Sequence, residues 1–85
     1  MKIFPHDDRY QILINLLRLL RKEKGLNQSD VATKLKCPQS YVSKYENAER
    51  RLDPVELYII CDALEISYVD FAKKYDLELK KTKNK

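Results

Sequence analysis

Residues 39–46, QSYVSKYE, gather side chains that make directional hydrogen bonds: Gln39, Ser40, Tyr41, Ser43 and Lys44. If the stretch is one short helix with Val42 and Tyr45 turned inward, these five lie on or beside its outer face. A glutamine amide pairs a donor with an acceptor, which matches the N6/N7 edge of adenine, and a lysine reaches guanine O6 and N7. A serine suits either base, and a tyrosine offers an aromatic edge to a thymine methyl or a hydroxyl to phosphate. Just beyond stand Asn47, Arg50 and Arg51, suited to phosphate oxygens. Alone, such a strip is also an ordinary solvated helix face, so its surroundings decide what it does.

Other chemistry is sparse. His6 is the only histidine, so no Ser/His/Asp set and no imidazole-based metal site can be assembled. Carboxylates are scattered over solvent-facing helix positions. Cys37 and Cys61 form no CxxC pattern and read as buried thiols rather than a disulfide or metal pair. A single glycine among 85 residues argues against phosphate-cradling glycine loops and hairpin-rich β folds. An enzyme is therefore not expected, and neither is a cofactor or metal.

The elements that must position the strip are helical. In residues 9–24 the leucines Leu13, Leu16, Leu17 and Leu20 recur at helical spacing. Asp7 or Asp8 can cap the start, and Gly25 ends the helix. Ile12, Ile14 and Leu19 widen the apolar stripe. Either Ile3, Phe4 or the last helix covers them, or they meet a second subunit. Asn27 caps a second helix, Gln28 to Leu35, and Pro38 suits the first turn of a third, ending near Glu46 or Asn47. So short a link forces a sharp crossing. Asp53, Pro54 and Glu56 start a fourth helix whose inner face is Leu57, Ile60, Cys61 and Leu64. Ser67 with Asp70 opens a fifth, where Val69, Phe71, Ala72 and Tyr75 are mostly apolar.

The segment GLNQSDVATKLKCPQSYVSKYE, Gly25 to Glu46, resembles the helix-turn-helix of the lambda-repressor-like, XRE/Cro-type DNA-binding family. The resemblance rests on Gly25-Leu26 with Gln28, on Val31-Ala32 followed by Leu35, and on Gln39-Ser40, Val42-Ser43 and Glu46. It continues through Pro54, Glu56, Leu57, Ile60, Ala63-Leu64 and Ile66, and covers roughly residues 12–72. It implies an all-α, compact five-helix domain in which helices 2 and 3 form the motif and the third helix enters the major groove. It also implies that Gln28 touches the DNA backbone and braces Gln39. By the same resemblance Arg21 and Glu46 form a scaffold ion pair, and the loop with Asn47, Arg50 and Arg51 touches phosphates. The family usually has glycine where Lys36 and Ala48 stand. Both positions then need either a rebuilt turn or a strained left-handed residue.

Charge is unevenly divided. Residues 1–51 hold eleven Lys/Arg against six Asp/Glu, residues 52–79 hold two against seven, and residues 80–85 add four lysines. The net +4 thus equals the terminal run. A basic first half beside an acidic second half lets one face approach a polyanion. No run is long and apolar enough to span a membrane, and MKIFPHDD lacks a signal core, so a cytoplasmic, nucleoid-associated protein is expected.

These readings converge on residues 1–79 as one DNA-binding domain, followed by a flexible basic tail, 80–85. The expected function is a transcriptional regulator, a repressor, acting without cofactor as a homodimer on a near-palindromic operator of double-stranded DNA. The alternative is an antitoxin-like protein-interaction module on the same fold, with a toxin, an antirepressor or RNA polymerase as partner.

Overall fold

Polar residues that accept backbone N–H groups set where the helices begin. In a computed structural model, which describes residues 8–83, the order is α1 (Asp8–Glu23), α2 (Gln28–Leu35), α3 (Gln39–Glu46), α4 (Pro54–Ala63) and α5 (Tyr68–Lys83). No strand occurs among the described residues. Before α2, Asn27 Oδ1 accepts from Asp30 N at 2.7 Å and Asp30 Oδ2 accepts from Asn27 N at 2.9 Å. Before α4 the same reciprocal pair joins Asp53 and Glu56 at 2.8 and 3.0 Å, with Pro54 as first helical residue. Such caps satisfy orphan amides and contribute about 1 kcal/mol each. Ser67 Oγ accepts from Asp70 N ahead of α5. Pro38 stands one residue earlier than expected. It is the N-cap of α3, with extended φ/ψ and no side-chain cap, rather than a first-turn residue.

Four helices end in the same way. Gly25, Lys36, Ala48 and Glu65 all adopt positive φ, between 58° and 72°. In each case the next residue donates its N–H to the carbonyl five back: Leu26 to Arg21, Cys37 to Ala32, Glu49 to Lys44 and Ile66 to Cys61, at 2.8 to 3.1 Å. This is the 6→1 bond of a Schellman stop. The turns at Lys36 and Ala48 are therefore not rebuilt. They keep the left-handed residue, and Glu65 is a third such site that sequence reading did not single out. An L-residue there costs roughly 1–2 kcal/mol, which the satisfied carbonyls and the packing of Leu26, Cys37 and Ile66 against the core offset.

The core is one cluster: Ile14, Leu16, Leu17 and Leu20 of α1, Val31 and Ala32, Val42 and Tyr45, Ile60, Cys61 and Leu64, and Phe71. α5 packs on α1 and on α4, so the last helix covers much of the wide α1 stripe, while Leu19 remains about half exposed. Ile3, Phe4, His6 and Asp7 lie outside the described residues. Among the α5 residues whose burial is described, only Phe71 is fully buried, Tyr75 is half-buried, and Val69 and Ala72 face solvent. The helix also runs past Leu79 through Lys80 and Lys81 to Lys83, so the expected tail starts as helix. Lys80 pairs with Asp76 and Lys81 with Glu78, each one turn away, which favours that continuation.

Candidate nucleic-acid interface

The aim of α3 is set by Glu46 at its carboxy end. This carboxylate is 1% exposed. Its Oε2 accepts from Arg21 Nε at 2.7 Å, and its Oε1 accepts from Arg21 Nη2 and from Gln28 Nε2, both at 3.0 Å. Arg21 also donates to the Leu26 carbonyl at 2.8 Å. Arg18 adds an ion pair to Glu46 Oε1 at 3.6 Å and donates to the Glu46 carbonyl. One buried carboxylate thus ties α1, α2 and α3 together. The bidentate fork of Arg21 fixes angle as well as distance. Gln28 turns to Glu46, at the far end of α3 from Gln39. Arg18 belongs to this hub and was not foreseen, because it reads as one more charge within an apolar run.

With Val42 and Tyr45 buried, the opposite side of α3 presents Gln39, Ser40 and Lys44 to solvent, and Ser43 is half-buried beside them. Asn47 is exposed at the helix end, its Nδ2 a long 3.5 Å from Ser43 Oγ. The strip is short and polar, and it is held from behind by core residues.

Tyr41 is placed differently from the rest. It is half-buried, edge-on to Tyr45 with ring centroids 5.6 Å apart. Its hydroxyl donates to Glu56 Oε2 at 2.7 Å. Arg50 Nη2 donates to the same oxygen at 2.7 Å, and its guanidinium lies 5.1 Å from the Tyr41 ring centroid. Burial and the bond to the Glu56 carboxylate push the Tyr41 phenol up to about 12. The Asp53 amide, the Tyr41 hydroxyl and Arg50 hold the Glu56 carboxyl down at about 2. The sequence marked Glu56 as a helix cap and a family-pattern residue, not as the partner of Tyr41 and Arg50.

The loop after α3 is pinned from α1 by a second tyrosine. Tyr10 donates its hydroxyl to the Arg50 carbonyl at 3.0 Å and accepts from Leu52 N at 3.1 Å. The Arg51 guanidinium lies 4.4 Å from the Tyr10 ring centroid, within cation–π range. Arg50 and Arg51 are both exposed. Tyr10 was missed because its partners lie about forty residues along the chain. That separation leaves no local signal.

Elsewhere, Cys37 is half-buried and Cys61 buried, both as free thiols. Burial pushes the Cys61 thiol up to about 11, away from the reactive thiolate form. No group of His, Cys, Asp or Glu suited to a metal ion occurs among the described residues. No described helix is long and apolar enough to cross a membrane. Val55, Tyr58 and Ile59 on α4, with Tyr68 and Val69 on α5, leave an exposed apolar area.

The helix-turn-helix family model matches residues 17–71. The chain is 35% identical over 57 residues to an uncharacterized HTH-type transcriptional regulator, y4dJ, of Sinorhizobium fredii, covering 67% of this chain and 74% of that one. An XRE-family-like protein of Pseudomonas syringae superposes with TM-score 0.79 at 40% identity, over 85% of this chain and 88% of that one. The restriction-modification controller protein C.Esp1396I gives TM-score 0.82 at 29% identity, over 89% and 99%. As a tetramer in complex with its natural 35 base-pair operator, that controller gives TM-score 0.79 at 29% identity, over 86% and 95%.

Proposed function

The chain belongs to the XRE family of helix-turn-helix proteins, and from that premise we propose that it is a sequence-specific, DNA-binding transcriptional regulator that represses through a homodimer. The observation that carries this reading is the outer face of α3. Gln39, Ser40 and Lys44 stand exposed on a helix whose inner side is buried and whose end is fixed by a buried hub. A helix so held can enter a major groove with its amino-terminal residues toward base edges. Gln39 and Lys44, with Ser40, Ser43 and Tyr41, read bases. Asn47, Arg50 and Arg51 meet phosphates, as does the amino end of α2 near Gln28.

Two supports favour a dimer. One short helix reads only a few base pairs, so two-fold pairing doubles the site. The exposed Val55, Tyr58, Ile59 and Val69 form an area suited to a second copy. The structural relative C.Esp1396I binds its operator as a tetramer; for this chain a homodimer on operator DNA is proposed. The work of the protein is then done in the cytoplasm, on the nucleoid.

Binding is tested by selecting sites from random DNA and measuring affinity for the selected duplex and for random duplex at two salt concentrations. A dyad-symmetric motif bound more tightly than random DNA, with affinity falling steeply as salt rises, is the expected result. Negligible binding to every duplex at low salt would refute the reading.

A further inference from the structure

Tyr41 and Arg50 come from different elements, the reading helix and the loop after it, yet a single carboxylate holds both. Glu56 Oε2 accepts from the Tyr41 hydroxyl and from Arg50 Nη2, each at 2.7 Å. Its other oxygen accepts from the Asp53 amide at 3.0 Å. The Arg50 side chain is 48% exposed and that of Glu56 21%, so the pair lies at the surface, within reach of a polyanion. The three bonds keep Glu56 anionic down to about pH 2.

This arrangement has two consequences for DNA binding. Arg50 reaches a phosphate either by leaving Glu56 or by bringing the Glu56 charge toward the DNA backbone. Both routes weaken sequence-independent attraction, which rests on cations that neutralise phosphates. Tyr41, meanwhile, is ordered before DNA arrives. Its hydroxyl is bonded, its ring is edge-on to Tyr45, and Arg50 lies over its face. A side chain already fixed loses less entropy on binding.

Resting on the DNA-binding reading above, we propose that Glu56 is a specificity-determining positioning residue. It withholds Arg50 from non-specific phosphate contact and presets Tyr41 for the bound site, widening the gap between specific and random binding.

The test is fluorescence polarisation with a selected site and a random duplex, titrated over salt. It compares the natural protein with Glu56→Gln, Arg50→Ala and the double variant. Glutamine keeps an acceptor for the Asp53 amide but removes the charge. Glu56→Gln is expected to bind random duplex several-fold more tightly and to steepen the log–log salt slope by about 0.9, one additional phosphate. At 0.1 M salt that corresponds to at most roughly eightfold. The ratio of specific to random affinity falls. In the Arg50→Ala background the same substitution leaves the slope unchanged. A slope change of equal size there overturns the proposal, because the charge would then act through space and not through Arg50.

Arg50→Ala alone supplies a reading that needs no Glu56 variant. It should make the slope shallower by less than half of the roughly 0.9 expected for an unpaired cation, and a full loss overturns the proposal. Natural protein that binds neither duplex refutes the DNA reading and this proposal with it. Natural protein that binds, paired with an unaltered slope in Glu56→Gln, refutes the proposal alone.

Discussion

Replacing Arg21 by methionine tests what fixes the carboxy end of α3. The substitution keeps an unbranched apolar stem and removes two hydrogen bonds to Glu46 and one to the Leu26 carbonyl. Glu46 stays 1% exposed, with Gln28 at 3.0 Å and Arg18 at 3.6 Å as its remaining side-chain partners. Breaking a buried pair by removing one partner costs about 3–5 kcal/mol, because the other charge is left behind. Gln28 and Arg18 compensate in part, which sets the expectation at the lower end, about 3 kcal/mol. In a domain this small each kcal/mol moves Tm by about 4–8 °C, so a fall of about 12–24 °C is expected. With a urea m-value of about 1 kcal/mol/M, the midpoint drops by about 3 M. The assay is urea denaturation followed by far-UV circular dichroism, comparing midpoints at constant m. Arg21→Met/Glu46→Leu should recover most of the loss, since well-packed apolar residues can replace a buried ion pair without penalty. A single variant within about 0.5 kcal/mol of the natural protein would refute the hub, as ordinary surface substitutions fall in that range. So would a double variant as unstable as the single.

The left-handed stops predict that Lys36→Gly, Ala48→Gly and Glu65→Gly each stabilise. Relief of about 1–2 kcal/mol of strain, less about 0.4–1 for the more flexible unfolded chain, leaves roughly 0.5–1 kcal/mol in urea melts; a loss at all three sites would contradict the strain. Gln39→Ala and Lys44→Ala should weaken binding to the selected site by about 1–3 kcal/mol while leaving random duplex nearly untouched. Equal losses on both would remove base readout from these residues. Because the Glu56 carboxyl is lowered from 4.5 to about 2 in the fold, its contribution to stability is complete above about pH 4.5 and fades as pH falls toward 2. Acid melts of Glu56→Gln should lack that part of the pH dependence, and superimposable profiles would count against the geometry. Ile59→Asp places a charge in the exposed α4–α5 area, so if the proposed dimer forms there, light scattering should show dimer for the natural protein and monomer for the variant. An unchanged mass would move the dimer surface elsewhere.

Much of this architecture was legible from local signals. Asn27 with Asp30, and Asp53 with Glu56, are caps whose residue types and spacing state their own function. The leucine spacing of α1, and Val42 with Tyr45 in α3, announced which sides turn inward. Lys36 and Ala48 stood out only against a family that prefers glycine there. Glu65 did not, since no local feature marks a glutamate as left-handed. What stayed hidden was long-range. Nothing near Tyr10 indicates the loop at residues 50–52 that it pins. Nothing near Glu56 indicates Tyr41, fifteen residues earlier. Gln28 was expected at the DNA backbone and beside Gln39, and its partnership with Glu46 was not foreseen. The continuation of α5 through Lys81 escaped because a lysine-rich end looks unstructured, whereas Asp76 and Glu78 sit one turn back to pair with it.

The anchoring of α3 separates two kinds of sequence change. Its grip on the body comes from Val42, Tyr45 and Glu46, none of which faces outward. Gln39, Ser40 and Lys44 take no part in that grip, so they can be exchanged while the frame keeps its stability. On the proposed reading, recognition is then free to drift quickly, or to be transplanted from a relative as a set of three residues. Tyr41 is the exception. Because it shares Glu56 with Arg50, a new residue at position 41 asks for compensating change at 50 and 56, and those three positions should turn over together.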